Sequence, residues 1–355
     1  MRVLPLSAAL SLALCGAAHA TGTFTALETP GALVTMISPN GEYAVASLSG
    51  GGGVRWTAET GEEDPLSGLN VTLGINDAGT VSGAVPVNGG AANGGDDLGA
   101  YLAVDGTPVQ LTDPIDDDSN GYAISDDNTI VGLAFASQFA GAAVAFVWTA
   151  DEGMTALPVN RPDNYSRANV ISADGHTIAG WNDQDDGGRT AVVWQDRVQH
   201  DIADADGNAV GEADGISDDG AFVVGGGYAD ADGNQGSWRW NAATGSIDFI
   251  PGMSFAFAVS HDGKTIVGAT GFFDDPPRAA MIWREGVGTV MLQDFLTENG
   301  IDVPDGWDFT GGLTALSADG RTIGGWGFGP DNHQGYIIQL GPDDAIFADG
   351  FDPPL

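Results

Sequence analysis

Ile171-Ser172-Ala173-Asp174-Gly175, then Thr177-Ile178-Ala179-Gly180, then a polar stretch rich in Asp and Gly, then Ala191-Val192-Val193-Trp194: this passage decides how the chain folds. Its opening is turn chemistry, because Ser and Asp side chains hydrogen-bond backbone N–H groups a few residues on and Gly accepts positive φ. The two short apolar runs after it are strand-like in length and β-branching. The opening phrase recurs at Ile37-Ser38-Pro39-Asn40-Gly41, Ile75-Asn76-Asp77-Ala78-Gly79, Ile124-Ser125-Asp126-Asp127-Asn128, Ile216-Ser217-Asp218-Asp219-Gly220, Val259-Ser260-His261-Asp262-Gly263 and Leu316-Ser317-Ala318-Asp319-Gly320. That makes seven copies, whose Ser or Asn steps by 38, 49, 47, 45, 43 and 57 residues.

Every copy continues alike. A run such as Thr129-Ile130-Val131-Gly132 or Thr265-Ile266-Val267-Gly268 comes first, then a polar loop, then a strand often ending in Trp, as in Ala145-Phe146-Val147-Trp148 and Ala280-Met281-Ile282-Trp283. A short last strand closes the unit, for example Met154-Thr155-Ala156-Leu157 or Ile247-Asp248-Phe249-Ile250. Four strands in each unit of roughly 45 residues predict an all-β, seven-bladed β-propeller of four-stranded antiparallel blades. Helical repeats are excluded by the lack of 3.6-residue periodicity outside Val290 to Glu298. The seventh copy stops at its third strand, Gly335-Tyr336-Ile337-Ile338, while Phe24-Thr25-Ala26-Leu27 stands spare near the other end. The expectation is that this N-terminal strand completes the last blade and shuts the ring.

The stretch from Ala145 to Leu157, and Ile75 to Gly83 with the apolar strands after it, resemble the bacterial extracellular repeat named HAF. The resemblance runs over nearly all of 21–340 and is weaker in the first two copies, where Trp56 precedes no clear fourth strand and Ala100-Tyr101-Leu102-Ala103 lacks Trp. The phrasing is also similar to that of Tol-type and WD-type propellers. The HAF resemblance implies an exported propeller, and no catalytic residue comes with it.

Arg2, the apolar run Val3 to Ala18 and Ala18-His19-Ala20 read as a signal peptide (1–20) cleaved after Ala20, for a secreted or periplasmic product. A lipoprotein cut before Cys15 is the second reading; Leu14 occupies the place where a small residue is wanted. No further apolar stretch is long enough for a membrane span. Cys15 is the single cysteine, so no disulfide staples the domain at 21–340. The tail at 341–355 reads as an acidic end or a sorting signal.

The 355 residues hold 11 Lys+Arg against 49 Asp+Glu, a net charge of −38, and that sign repels nucleic-acid phosphates. The long loops, rich in Asp, belong to the connections between second and third strands and between blades. One end of the ring is therefore expected to be strongly acidic and to face a protein or carbohydrate ligand, cationic or neutral. Asp116-Asp117-Asp118-Ser119-Asn120-Gly121 fits the pattern D-x-D-x-N-G, which makes Asp116, Asp118, Asn120 and Asp127 candidate Ca2+ ligands. Shorter Asp-rich loops at 183–187, 204–208 and 230–234 read as weaker candidates or as plain turns.

No catalytic residue is assigned: the His residues show no metal spacing, and neither G-x-S-x-G nor a P-loop occurs. The recurrent Ser reads as a turn hydrogen bonder. Trp56, Trp148, Trp194, Trp240 and Trp283 share one repeat position and read as packing between blades, whereas Trp181 and Trp326 read as core or as sugar-stacking rings. The sequence thus favours a non-enzymatic binding scaffold. A calcium-assisted hydrolase or lyase acting on polysaccharide or lactone is the alternative.

Overall fold

The structure, a computed structural model, describes residues 22–86, 98–104, 107–111, 118–136, 142–229, 235–271, 278–330 and 332–341. The signal-peptide and lipoprotein readings, Asp116 and the tail beyond Gly341 lie outside them.

The Ser-x-Asp-Gly phrase folds as anticipated, and each of its residues has a task. In the Ile171–Thr177 copy, Ser172 Oγ donates to Asp174 Oδ1, the Thr177 N–H donates to Ser172 Oγ and the His176 N–H to Asp174 Oδ1. The same bonds form around Ser217 and Ser317. These Ser are fully buried, so the hydroxyl satisfies a backbone group that water cannot reach. Gly175 takes φ 77°, and in the third copy Asn128 takes the position with φ 66°, a conformation Asn tolerates.

Seven such turns each join the first and second strands of one of seven four-stranded antiparallel sheets. The first is β2 (Ala32–Ile37), β3 (Tyr43–Leu48), β4 (Gly53–Thr57) and β5 (Glu63–Leu66). The second is β6 (Val71–Ile75), β7 (Val81–Pro86), β8 (Leu98–Val104) and β9 (Thr107–Gln110). The third and fourth are β10 (Ser119–Ile124) to β13 (Gly153–Ala156), through β11 (Ile130–Ala136) and β12 (Ala142–Thr149), and β14 (Ser166–Ile171) to β17 (Val198–Asp201), through β15 (Thr177–Asp183) and β16 (Arg189–Gln195). The fifth runs β18 (Glu212–Ile216), β19 (Phe222–Ala229), β20 (Gln235–Asn241), β21 (Ser246–Pro251); the sixth β22 (Phe255–Val259), β23 (Thr265–Ala269), β24 (Ala280–Arg284), β25 (Gly288–Met291). The seventh is β26 (Leu313–Leu316), β27 (Thr322–Phe328) and β28 (His333–Gln339), completed by β1 (Thr23–Ala26).

The ring closes as the sequence suggested. β1 pairs with β28 in register Phe24↔Ile338, and the Phe24 ring stacks on Tyr336 at 5.4 Å. The one helix among the described residues, α1 (Leu292–Glu298), falls within the single stretch with helical periodicity and buries Leu292, Phe295 and Leu296 between the sixth and seventh blades. β5 is the fourth strand that the first copy, after Trp56, left unclear. The shared-position tryptophans pack between blades. Trp194 belongs with Val131 and Val147 of the preceding blade, and its indole N–H donates to Pro158 O at 2.7 Å.

First strands of neighbouring blades touch all the way round, so these strands line the central channel. Each carries a β-bulge at the same place, as between Ala168 and Val170 or Ala213 and Gly215. Bulges re-aim side chains. Here they turn one residue per blade inward: Thr35, Leu73, Tyr122, Asn169, Asp214, Phe257 and Thr314.

Candidate functional site: the loop end of the channel

Two positions before each bulge residue, the first strands supply a further layer, and the two layers divide the channel into unlike halves. Blades three to five contribute Asn120, Arg167 and Glu212 with Tyr122, Asn169 and Asp214; the remaining blades contribute Leu33, Val71, Phe255 and Gly312 with Thr35, Leu73, Phe257 and Thr314. The carboxylates and most of the charge of the loop end thus gather on blades three to five, whereas the remaining blades present mainly apolar side chains, with the buried guanidinium of Arg278 5.8 Å from the Phe257 ring.

The charged half is a connected network. Arg167 lies opposite Trp181 in the β14–β15 register, and its guanidinium sits 5.4 Å from that ring and 5.2 Å from Tyr122. Its Nη2 donates to Glu212 Oε2 at 3.0 Å, and its Nε donates to Asn169 Oδ1. Asn169 in turn donates to Ala213 O of the next blade at 2.8 Å. Arg189 pairs with Glu212, stands 4.0 Å from Asp183 and covers Trp181 at 4.4 Å. Two guanidinium groups thus lie against the indole, which is 5% exposed. Trp181 is therefore part of the wall and offers no free face for a sugar. Trp326 is half-buried, with Arg278 6.0 Å and His333 5.8 Å away.

Asp214 sits below these arginines. Burial pushes its carboxyl up to about 6, against the pull of Arg167 and Arg189 and a hydrogen bond from the Gly226 N–H. Burial likewise raises Asp183, opposed by Arg189. A carboxyl whose folded pKa is raised favours the protonated folded state, so its contribution is fully present below the unfolded pKa and is lost as pH rises through about 6. Asp214→Asn is therefore expected to stabilise the protein at pH 7 by about 1–3 kcal/mol and to change little at pH 4. Thermal melts of both proteins at the two pH values check this, and equal shifts at both would contradict it.

Of the four calcium candidates, three fall within the described residues. Asp116 lies outside the described residues, Asp118 precedes β10 at the loop end, and Asn120 sits in the channel wall. Asp127 is in the turn beyond the opposite end of β10, where its carboxylate accepts hydrogen bonds from Ser125 Oγ and the Thr129 N–H. An extended strand advances about 3.3 Å per residue, so Asp118 and Asn120 cannot share one ion with Asp127. The repeat's own first strand, β10, runs through the pattern. In the loop at 204–208, the Asp204 carboxylate accepts from the Asp206 and Asn208 N–H groups, as a turn former does.

Acidic side chains also stand at the other end of the ring. The opposite, turn end carries Glu42, Asp77, Asp126, Asp127, Asp174, Asp218, Asp219, Asp262 and Asp319. Sequence reasoning placed the loop acids but passed over Arg167, Arg189, Glu212 and Asp214. For Arg167, Glu212 and Asp214 the available signal was polar residues on first strands, at positions where other copies carry Leu, Val or Phe, whereas Arg189 lies on the third strand β16.

Comparison with known proteins agrees with the fold. A chain of a mitotic checkpoint complex aligns with 16% identity over 96% of this chain and 99% of its own, with TM-score 0.55. The Cps50 (Swd1) β-propeller domain of Myceliophteria thermophila aligns with 12% identity over 90% and 100%, with TM-score 0.54. The WD40 repeats of RRP9 give 13%, 90%, 99% and 0.53. At such identities the likeness is one of fold. No family model and no curated protein matches the chain, so the HAF resemblance is not confirmed.

Proposed function

We propose that the protein is a binding module that receives a segment of a protein or glycan at the loop end of its channel, and that it works as an exported scaffold rather than as an enzyme. The observation that carries this reading is the divided channel: Arg167, Arg189, Glu212 and Asp214 on one side, Phe255, Phe257, Leu33 and Val71 on the other. A wall of this kind orients an amphipathic ligand, with charge fixing direction and apolar surface supplying affinity. The recurrent serines, which are the obvious nucleophile candidates, are buried and engaged in their turns. The overall charge of −38 favours cationic or neutral ligands and gives association that weakens with salt. The signal-like first twenty residues are what supports export.

Peptide and glycan arrays probed with the purified chain, with and without calcium, test the reading. Binding should weaken at least tenfold in Glu212→Gln, which loosens both arginines. Turnover of a polysaccharide or lactone substrate that disappears in Asp214→Asn would replace this reading with the enzymatic one.

A further inference from the structure

At its other end the channel is bordered by a belt of hydrogen bonds that crosses every junction between blades. The Asp126 N–H donates to Ala173 O at 2.9 Å, Ala173 to Asp218 O at 2.8 Å, His261 to Ala318 O at 2.8 Å and Ala318 to Pro39 O at 2.8 Å. Pro39 has no N–H, so the Asn40 N–H donates to Asp77 Oδ1 at 2.8 Å instead. The Asp77 N–H donates to Asp126 Oδ1 at 3.0 Å, and Asp218 Oδ1 lies 2.7 Å from His261 Nδ1. The residue after each recurrent Ser or Asn thus forms the rim of an opening.

Beneath the rim is a cavity of about 80 Å³. Ile75, Ile124, Ile171, Ile216, Val259 and Phe257 wall it, and Pro39, Ala173, Asp218 and Ala318 stand at its mouth. An apolar void of this kind holds water poorly, and its lining lacks dispersion partners on one side. It has room for roughly the four carbons of one aliphatic side chain. The carboxylates of Asp77, Asp126 and Asp218 lie round the mouth, each with one oxygen engaged in the belt. Their proximity is felt: burial raises the Asp77 carboxyl, and Asp126 and Asp218 add to the rise.

We propose that this mouth is a second binding site, which takes one aliphatic side chain of a basic peptide segment into the cavity while flanking Lys or Arg residues meet the carboxylates of the rim. Charge complementarity selects the occupant, since a membrane surface would bring anionic headgroups against Asp77, Asp126 and Asp218. The site opens at the opposite end of the channel from the divided wall, with which it shares Phe257, and does not depend on the reading given to that wall.

Fluorescence anisotropy with labelled Gly-Lys-Lys-Leu-Lys-Lys-Gly and its Leu-to-Ala counterpart tests it. The Leu peptide should bind at least about tenfold more tightly, the discrimination expected for burying an aliphatic side chain. In Asp77→Asn/Asp126→Asn/Asp218→Asn, where each amide keeps the acceptor oxygen of the belt, both peptides should weaken by a similar factor. Ala173→Phe places a ring across the mouth and should erase the preference for Leu, whereas Trp181→Ala at the loop end should leave it intact. Equal affinities for the two peptides in the unaltered protein would overturn the proposal, as would a preference that survives Ala173→Phe or vanishes with Trp181→Ala.

Discussion

Gly225→Val is expected to abolish cooperative folding, at a cost above about 4 kcal/mol out of the 5–15 kcal/mol that holds a typical domain together. Gly225 in β19 lies opposite Trp238 of β20, which is fully buried and donates its indole N–H to Val210 O at 2.7 Å. A Cβ at Gly225 would fall inside the van der Waals envelope of both the Glu212 carbonyl and the Trp238 ring. The carbonyl is fixed by the bulge of β18, and the ring by its hydrogen bond and by the neighbouring blade, so neither can retreat. The same pairing of Gly with a bulky residue recurs at Gly83–Tyr101, Gly132–Phe146 and Gly325–Tyr336. It explains why the second-strand run ends in a small residue: the third strand lays a ring over it. Urea titration followed by circular dichroism measures the effect, with Gly50→Ala as control. Gly50 has nothing within 4 Å of an added Cβ, and that variant should stay within about 0.5 kcal/mol. A Gly225→Val protein that unfolds like the unaltered one would contradict this account of the blade.

Removal of residues through Leu27 should be comparably damaging. β1 contributes the outer strand of the last blade, Leu27 is 1% exposed, and its N–H donates to Gly335 O at 3.0 Å. Phe24 sits in a cluster of rings, 5.0 Å from Trp307 and 6.0 Å from Phe309. Without β1 this cluster opens to water, and β28 presents a bare edge to other chains. The shortened protein is expected to aggregate at micromolar concentration, and a peptide spanning residues 22–31 added in trans is expected to restore solubility and the melting transition. A shortened chain that stays monomeric with an unchanged melting temperature would show that the ring needs no such strand.

Blade number, strand order and closure were legible because they rest on local, repeated chemistry: Ser172 with Asp174, Gly175 at positive φ, and the spare strand at Phe24. The channel was not legible to the same degree. Arg167 and Glu212 come from different blades and are 45 residues apart in the chain, so only the ring brings them together. The stretch from Asp118 to Asp127 was hard to read for a related reason. It reads as one loop in sequence, yet β10 separates Asn120 from Asp127. The acid belt was likewise hidden, because the turn aspartates looked interchangeable until the closed ring placed Asp77, Asp126 and Asp218 round one mouth.

Closure of seven blades through β1 and β28 underlies both proposed sites, and one cross-link tests it. Thr23 and Gln339 are directly paired in register, and paired antiparallel Cα atoms lie about 4.5–5.5 Å apart, within disulfide reach. In a chain carrying Cys15→Ser, the pair Thr23→Cys and Gln339→Cys should oxidise to a disulfide within one molecule. That bond closes a loop of roughly 300 residues and should raise the melting temperature by several degrees. Thiols that remain free under mild oxidation, or that form only links between molecules, would contradict the closed ring.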